Sequence, residues 1–149
     1  MDSSISGKEH IEKIRILYKE NYEKLSDRVK IENNLCYGTD INKLPVERIT
    51  FVAKGLPKNI SLEDLGFTIT ISFDPIKVLG IIPITEEYSY VVLSNSWDIE
   101  CAFSSYHCFV DKDNRFFRHI HDYKNQCETN HKSIELIRYQ KFQIPKIKL

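Results

Sequence analysis

Residues 66–73, Gly-Phe-Thr-Ile-Thr-Ile-Ser-Phe, decide the fold class. Phe67, Ile69, Ile71 and Phe73 alternate with Thr68, Thr70, Ser72 and Asp74. A strand repeats its side-chain direction every second residue, so this pattern describes a strand with one face buried and one in water. Similar alternation continues as far as His121, and the region reads as a series of antiparallel strands. It carries no motif that fixes a reaction.

Working outward, Asp74-Pro75 turns the chain. Lys77 to Ile84 is apolar but interrupted by Gly80 and Pro83. Proline has no N–H to give to a ladder, so this segment suits an edge strand or a bulge. Thr85-Glu86-Glu87 turns again, Tyr88 to Ser94 alternates as a strand, and Asn95 to Asp98 reads as a loop. Cys101–Val110 and Arg115–His121 form a hairpin around Asp111-Lys112-Asp113-Asn114, which is strong turn chemistry. Pairing Val110 with Arg115 sets Cys108 opposite Phe117 and Tyr106 opposite His119. Ser133 to Gln143 reads as a last strand, with a helix as the alternative.

Upstream, Ser6 and Glu9 make a capping box. Ile11, Ile14, Tyr18, Tyr22, Leu25 and Val29 then recur at spacings of three and four, the apolar stripe of one helix. That helix should fray near Asn33–Asn34, and Val46 to Ala53 should form a first strand. The expected fold is α+β: a long N-terminal helix packed on a curved, mostly antiparallel β-sheet of about five to seven strands, cone-like or sandwich-like. The chain is expected to be a single domain over 1–149. Residues 1–34 hold the N-terminal helix, 46–143 the antiparallel sheet region and 144–149 a basic tail.

A chain of 149 residues can bury roughly 70% of its unfolded surface, so it needs no metal or disulfide for stability. The 42% apolar and 28% charged content is that of an ordinary globular protein. Twenty-one basic and 21 acidic residues cancel, which gives no charge argument for nucleic acid. The longest apolar run, Val78 to Ile82, or to Ile84 counting Gly80 and Pro83, is far short of the roughly 20 residues of a membrane span. The first residues show no export signal, so the expectation is a cytoplasmic protein with Cys36, Cys101, Cys108 and Cys127 reduced. Two disulfides in an exported protein are the alternative.

Three groupings could carry function. The first is an acidic stretch: Glu86, Glu87, Asp98 and Glu100 occur between Ile84 and Cys101 with no Lys or Arg. With Tyr88, Tyr90 and Trp97 they suggest a partner-binding surface, because aromatic anchors inside charged rims carry much of the energy of protein interfaces. Opposite charge on the partner would speed encounter. The expected function is therefore a non-catalytic protein-binding module, an inhibitor or immunity-type protein that neutralises a basic toxin or nuclease by covering its active site. Acidic sheet edges that merely resist edge-to-edge pairing are the plainer explanation of the same residues.

The second grouping is His119, His121, Cys127 and His131. Imidazole and thiolate are good zinc ligands, so these residues define an alternative, metal-dependent or hydrolytic enzyme, although their spacing matches no known zinc motif. His107, His119 and His121 could also exchange protons, but in the expected hairpin His107 falls on the opposite face. No local signature of a cysteine nucleophile and no glycine-rich phosphate loop is present, and no cofactor is expected. The third possibility is a small-ligand binder with an apolar pocket between helix and sheet. In the basic C-terminal segment, Tyr139 and Phe142 among Lys and Arg could stack on single-stranded nucleic acid, but the basic density is modest.

Overall fold

The computed structural model describes residues 7–56, 60–63, 65, 78–104, 108–110, 116–120 and 132–142. The strand read over residues 67–73 lies outside them, as do the 111–114 turn and the 144–149 tail. The described elements are α1 (Gly7–Asn21), α2 (Asp27–Tyr37), β1 (Thr50–Lys54), β2 (Val78–Pro83), β3 (Tyr88–Leu93), α3 (Ser96–Ser104), β4 (Cys108–Val110), β5 (Phe116–Ile120) and β6 (Lys132–Arg138). The class is α+β, with the strands in the order β2-β3-β1-β6-β5-β4 and every neighbouring pair antiparallel.

The apolar stripe of the N-terminal region is real, but the helix that carries it is divided. Ile14, Tyr18, Leu25 and Val29 are all buried. Between them the chain tightens into a 3-10 turn over Tyr22–Lys24 and restarts at Ser26. The Ser26 hydroxyl accepts from the Val29 amide at 3.3 Å, an N-cap that serine provides well and that ends any continuous helix from α1. The second helix then runs past Asn33–Asn34 to Tyr37. Gly38 ends it with φ 81°, and its amide donates to the Asn34 carbonyl at 2.9 Å.

Asn33 holds where fraying was expected. Its Nδ2 donates to the Tyr18 hydroxyl at 2.7 Å and to the Ser94 carbonyl at 2.9 Å. One buried amide thus ties α1, α2 and the end of β3 together.

Both faces of β1 and β3 are covered. Phe51, Ala53, Val91, Leu93, Ile134 and Leu136 point to one side, against Ile99, Ala102 and Phe103 of α3 and against Leu65. Val52, Tyr90 and Val92 point to the other, against Ile14 and Tyr18 of α1 and Val29 of α2. A strand buried on both faces reads as a continuous apolar run, which explains Thr50-Phe-Val-Ala-Lys54. The Leu17 side chain of α1 packs close over Gly80, where a Cβ would lie 2.6 Å from Leu17 Cδ2 and push that side chain aside. In β2 the ladder jumps from Val78–Leu93 to Gly80–Val92, so the strand is bulged and ends the described sheet, in keeping with Gly80 and Pro83.

Two expectations fail between 95 and 121. Residues 96–104 form a helix, not a loop leading into a strand. Ile99, Cys101 and Phe103 satisfy a period of two, but Ile99, Ala102 and Phe103 equally satisfy helical spacing, and short apolar runs do not separate the two. Tertiary burial decides it: Ile99, Ala102 and Phe103 all enter the core. The hairpin register is also one residue longer than expected, with Val110 opposite Phe116, Phe109 opposite Phe117 and Cys108 opposite Arg118. A slip of one residue exchanges the faces, so positions 108 and 119 lie on opposite faces of the sheet.

The final segment is a strand, as favoured, but only to Arg138; Tyr139–Lys141 forms a 3-10 turn. Among the described residues, no helix is long and apolar enough to cross a membrane.

Candidate functional site

The β2–β3 turn presents the first half of the acidic stretch. Thr85 Oγ1 accepts from the amides of Glu87 and Tyr88, both at 3.2 Å, and the Glu87 carbonyl accepts from the Gly55 amide at 3.0 Å. The backbone is pinned while the Glu86 and Glu87 side chains stay exposed. Tyr88 is half-buried, with the Phe142 ring 5.2 Å away and the Lys54 ammonium 5.6 Å from its centroid.

Tyr90 is not a surface anchor. It is 2% exposed and hydrogen-bonds His10 Nδ1 through its hydroxyl at 2.8 Å. Burial pushes its phenol pKa well up, with a smaller contribution from Tyr139. The reason is register: residues 90 and 92 of β3 face α1 and α2, so alternation carries Tyr90 into the core. His10, 1% exposed, was missed as its partner. Its signal was present, since His10, Ile14 and Tyr18 follow one another at four-residue steps on the buried stripe.

The second half of the acidic stretch lies elsewhere. Trp97, Asp98 and Glu100 belong to α3, at the far end of β3 from Glu86 and Glu87. Five strand steps of about 3.3 Å put the two halves roughly 17 Å or more apart, so they do not make one patch. The side chains of Trp97 and Asp98 lie outside the described set. Glu100 is exposed and receives Arg138 Nη1 at 3.3 Å.

Of the proposed metal ligands, only the backbone of His119 is described, opposite Ser133 in β6. His121, Cys127 and His131 fall outside. Among the described residues no three His, Cys, Asp or Glu side chains come together as a metal site would need. Ile31 and Leu35, one turn apart on α2, are 59% and 83% exposed. Two side chains fall short of the few hundred Å² at which an apolar patch marks an interface.

Sequence reasoning missed a groove that forms where β6 parts from β1. The β1–β6 ladder stops at Phe51–Arg138, whereas β1 and β3 stay paired one residue further, at Thr50–Val92. The departing chain leaves a cleft of about 690 Å³. Ser96, Ile99, Glu100 and Phe103 of α3 form one wall. Glu47 and Arg48, from the 3-10 turn before β1, and Arg138 to Gln140 with Phe142 form the rest, above Thr50. Arg138 stacks over Phe103, 4.4 Å from the ring centroid, while it holds Glu100.

The groove is polar and its charges balance. Burial raises the pKa of Tyr139, with Glu47 adding to the rise and Arg15 opposing it. Burial likewise raises that of Tyr37, and its hydrogen bond with Ser96 opposes the rise. Thr50 Oγ1 is buried with no hydrogen-bond partner among the described residues. The apolar pocket expected between helix and sheet is therefore not what this groove provides.

Compared with known protein families, curated proteins and solved structures, the chain finds no match.

Proposed function

We propose that the protein is a non-catalytic, cytoplasmic binding module of the inhibitor or immunity type, which neutralises a basic toxin or nuclease by covering its active site. The observation that carries this reading is the pinned β2–β3 turn. Hydrogen bonds to Thr85 Oγ1 and from the Gly55 amide fix the backbone that carries its two exposed carboxylates. A backbone already ordered adds little ordering entropy on binding, and the charges it carries accelerate encounter with a surface of opposite sign. Tyr88, half-buried beside the turn, supplies the aromatic anchor.

The test is capture of partners from the native lysate at low and moderate salt, followed by association kinetics with the captured protein. A single stoichiometric basic partner is expected, with Glu86→Lys/Glu87→Lys slowing association roughly 10-fold at low salt and much less at high salt. Unchanged on-rates for the double variant would remove the turn from the reading.

A further inference from the structure

We infer that the groove between α3, the Glu47–Arg48 turn and the Tyr139–Phe142 segment binds a short zwitterionic peptide, of roughly dipeptide size, with apolar side chains. This goes beyond the partner-binding reading, and apart from Phe142, which also packs on Tyr88, it uses none of that reading's residues.

Charge selects the class. Four ionic side chains line the groove, Glu47, Arg48, Glu100 and Arg138. Glu100 and Arg138 satisfy one another at 3.3 Å. Glu47 and Arg48 form no ion pair among the described residues. The groove therefore offers one carboxylate and one guanidinium, adjacent in the chain, to whatever enters it. A phosphate-rich ligand would leave the Glu47 carboxylate without a counter-charge, and a purely apolar one would desolvate both charges without return. A molecule with an ammonium at one end and a carboxylate at the other satisfies both.

Shape and lining select the size and the body. About 690 Å³ falls within the roughly 300–1,000 Å³ of small-molecule sites, and is larger than a single amino acid needs. Tyr139 and Phe142 bring aromatic surface to a groove lined also by ionic side chains. That combination suits apolar side chains carried on a charged backbone.

The experiment is titration calorimetry of the full chain with leucyl-phenylalanine, its N-acetylated form and its C-terminal amide. The free dipeptide is expected to bind, and each blocked form to bind roughly 10-fold more weakly. Arg48→Ala should weaken the free dipeptide by the same factor and leave the amide unaffected. Glu47→Gln should do the same relative to the acetylated form. Neither side chain is in the core, and unchanged melting temperatures would confirm that both variants fold. No binding at millimolar dipeptide would overturn the inference. So would blocked peptides that bind as tightly as the free one, or variants that weaken free and blocked peptides alike. The blocked-peptide arm needs no variant, and neither arm depends on the acidic turn.

Discussion

Replacing Asn33 by leucine tests whether one buried amide locks the two N-terminal helices to the sheet. Asn33 is 4% exposed, and its Nδ2 serves two acceptors on different elements, the Tyr18 hydroxyl at 2.7 Å and the Ser94 carbonyl at 2.9 Å. Leucine has nearly the same size but no donor. Each buried group that loses its partner costs about 1–3 kcal/mol, and the extra apolar surface returns about 1 kcal/mol, so Asn33→Leu should destabilise by about 3 kcal/mol. At this chain length that lowers Tm by about 6–12 °C.

The assay is urea unfolding at constant m, run as a double-mutant cycle with Tyr18→Phe. Asn33→Leu already removes the contact, so the double variant should lose about 1 kcal/mol less than the sum of the single losses. Asn33→Asp should be worse than Asn33→Leu at neutral pH, because a carboxylate cannot donate to Ser94 and would be buried charged. Strict additivity in the cycle, or an Asn33→Leu loss below about 1 kcal/mol, would refute the argument that this amide locks the helices.

Other consequences can be measured in the same way. Burial, with Lys13 adding and Glu9 opposing, lowers the His10 pKa below its ordinary 6.5. The unfolded chain then binds the extra proton first, so this stability is complete above about pH 6.5 and falls as pH drops from there towards the folded pKa. A pH series of urea melts should show that slope, and His10→Gln should flatten it. Gly80→Ala should cost about 1–2 kcal/mol by forcing Leu17 aside, and much less in a Leu17→Ala background, where thermal melts would show the relief. Thr50→Val keeps the shape and deletes a buried hydroxyl that has no partner among the described residues, so it should raise stability by about 1 kcal/mol in the same melts.

What was legible in the sequence follows from how local each signal is. The stripe from Ile11 to Val29 needed only side-chain periodicity, and the structure buries or half-buries every member. The break inside it was carried by Ser26, whose capping role competes with helix continuation, and the stripe alone gives no weight to that competition. Strands β2 and β3 and their turn were legible because Pro83, Gly80 and Thr85 act on the backbone nearby. The α3 helix was not, since Ile99 to Phe103 satisfies two periods and only packing against Phe51 and Leu136 selects one. Tyr90 was misassigned for a related reason. Chain position beside acidic residues suggested a surface, but which face of β3 is covered depends on α1, some seventy residues earlier. The groove had no local signal, because it exists only where two strands distant in sequence stop pairing.

The two candidate surfaces should act independently as charges yet share one packing contact. Thr50 to Lys54 separates them by roughly 13 Å of strand, beyond the Debye length of about 8 Å at physiological salt. Charge reversal at Glu86 and Glu87 should therefore change dipeptide affinity by less than about 2-fold. Phe142 reaches both, lining the groove while its ring lies 5.2 Å from that of Tyr88. The direct route for coupling between peptide and protein partner is that aromatic contact, since allostery requires an element that both ligands bias. If saturating dipeptide alters the partner's dissociation rate, Phe142→Ala should abolish the effect while leaving the response to Glu86→Lys intact. An effect that survives Phe142→Ala would place the coupling in the sheet itself, through the Thr50–Val92 end of the β1–β3 ladder.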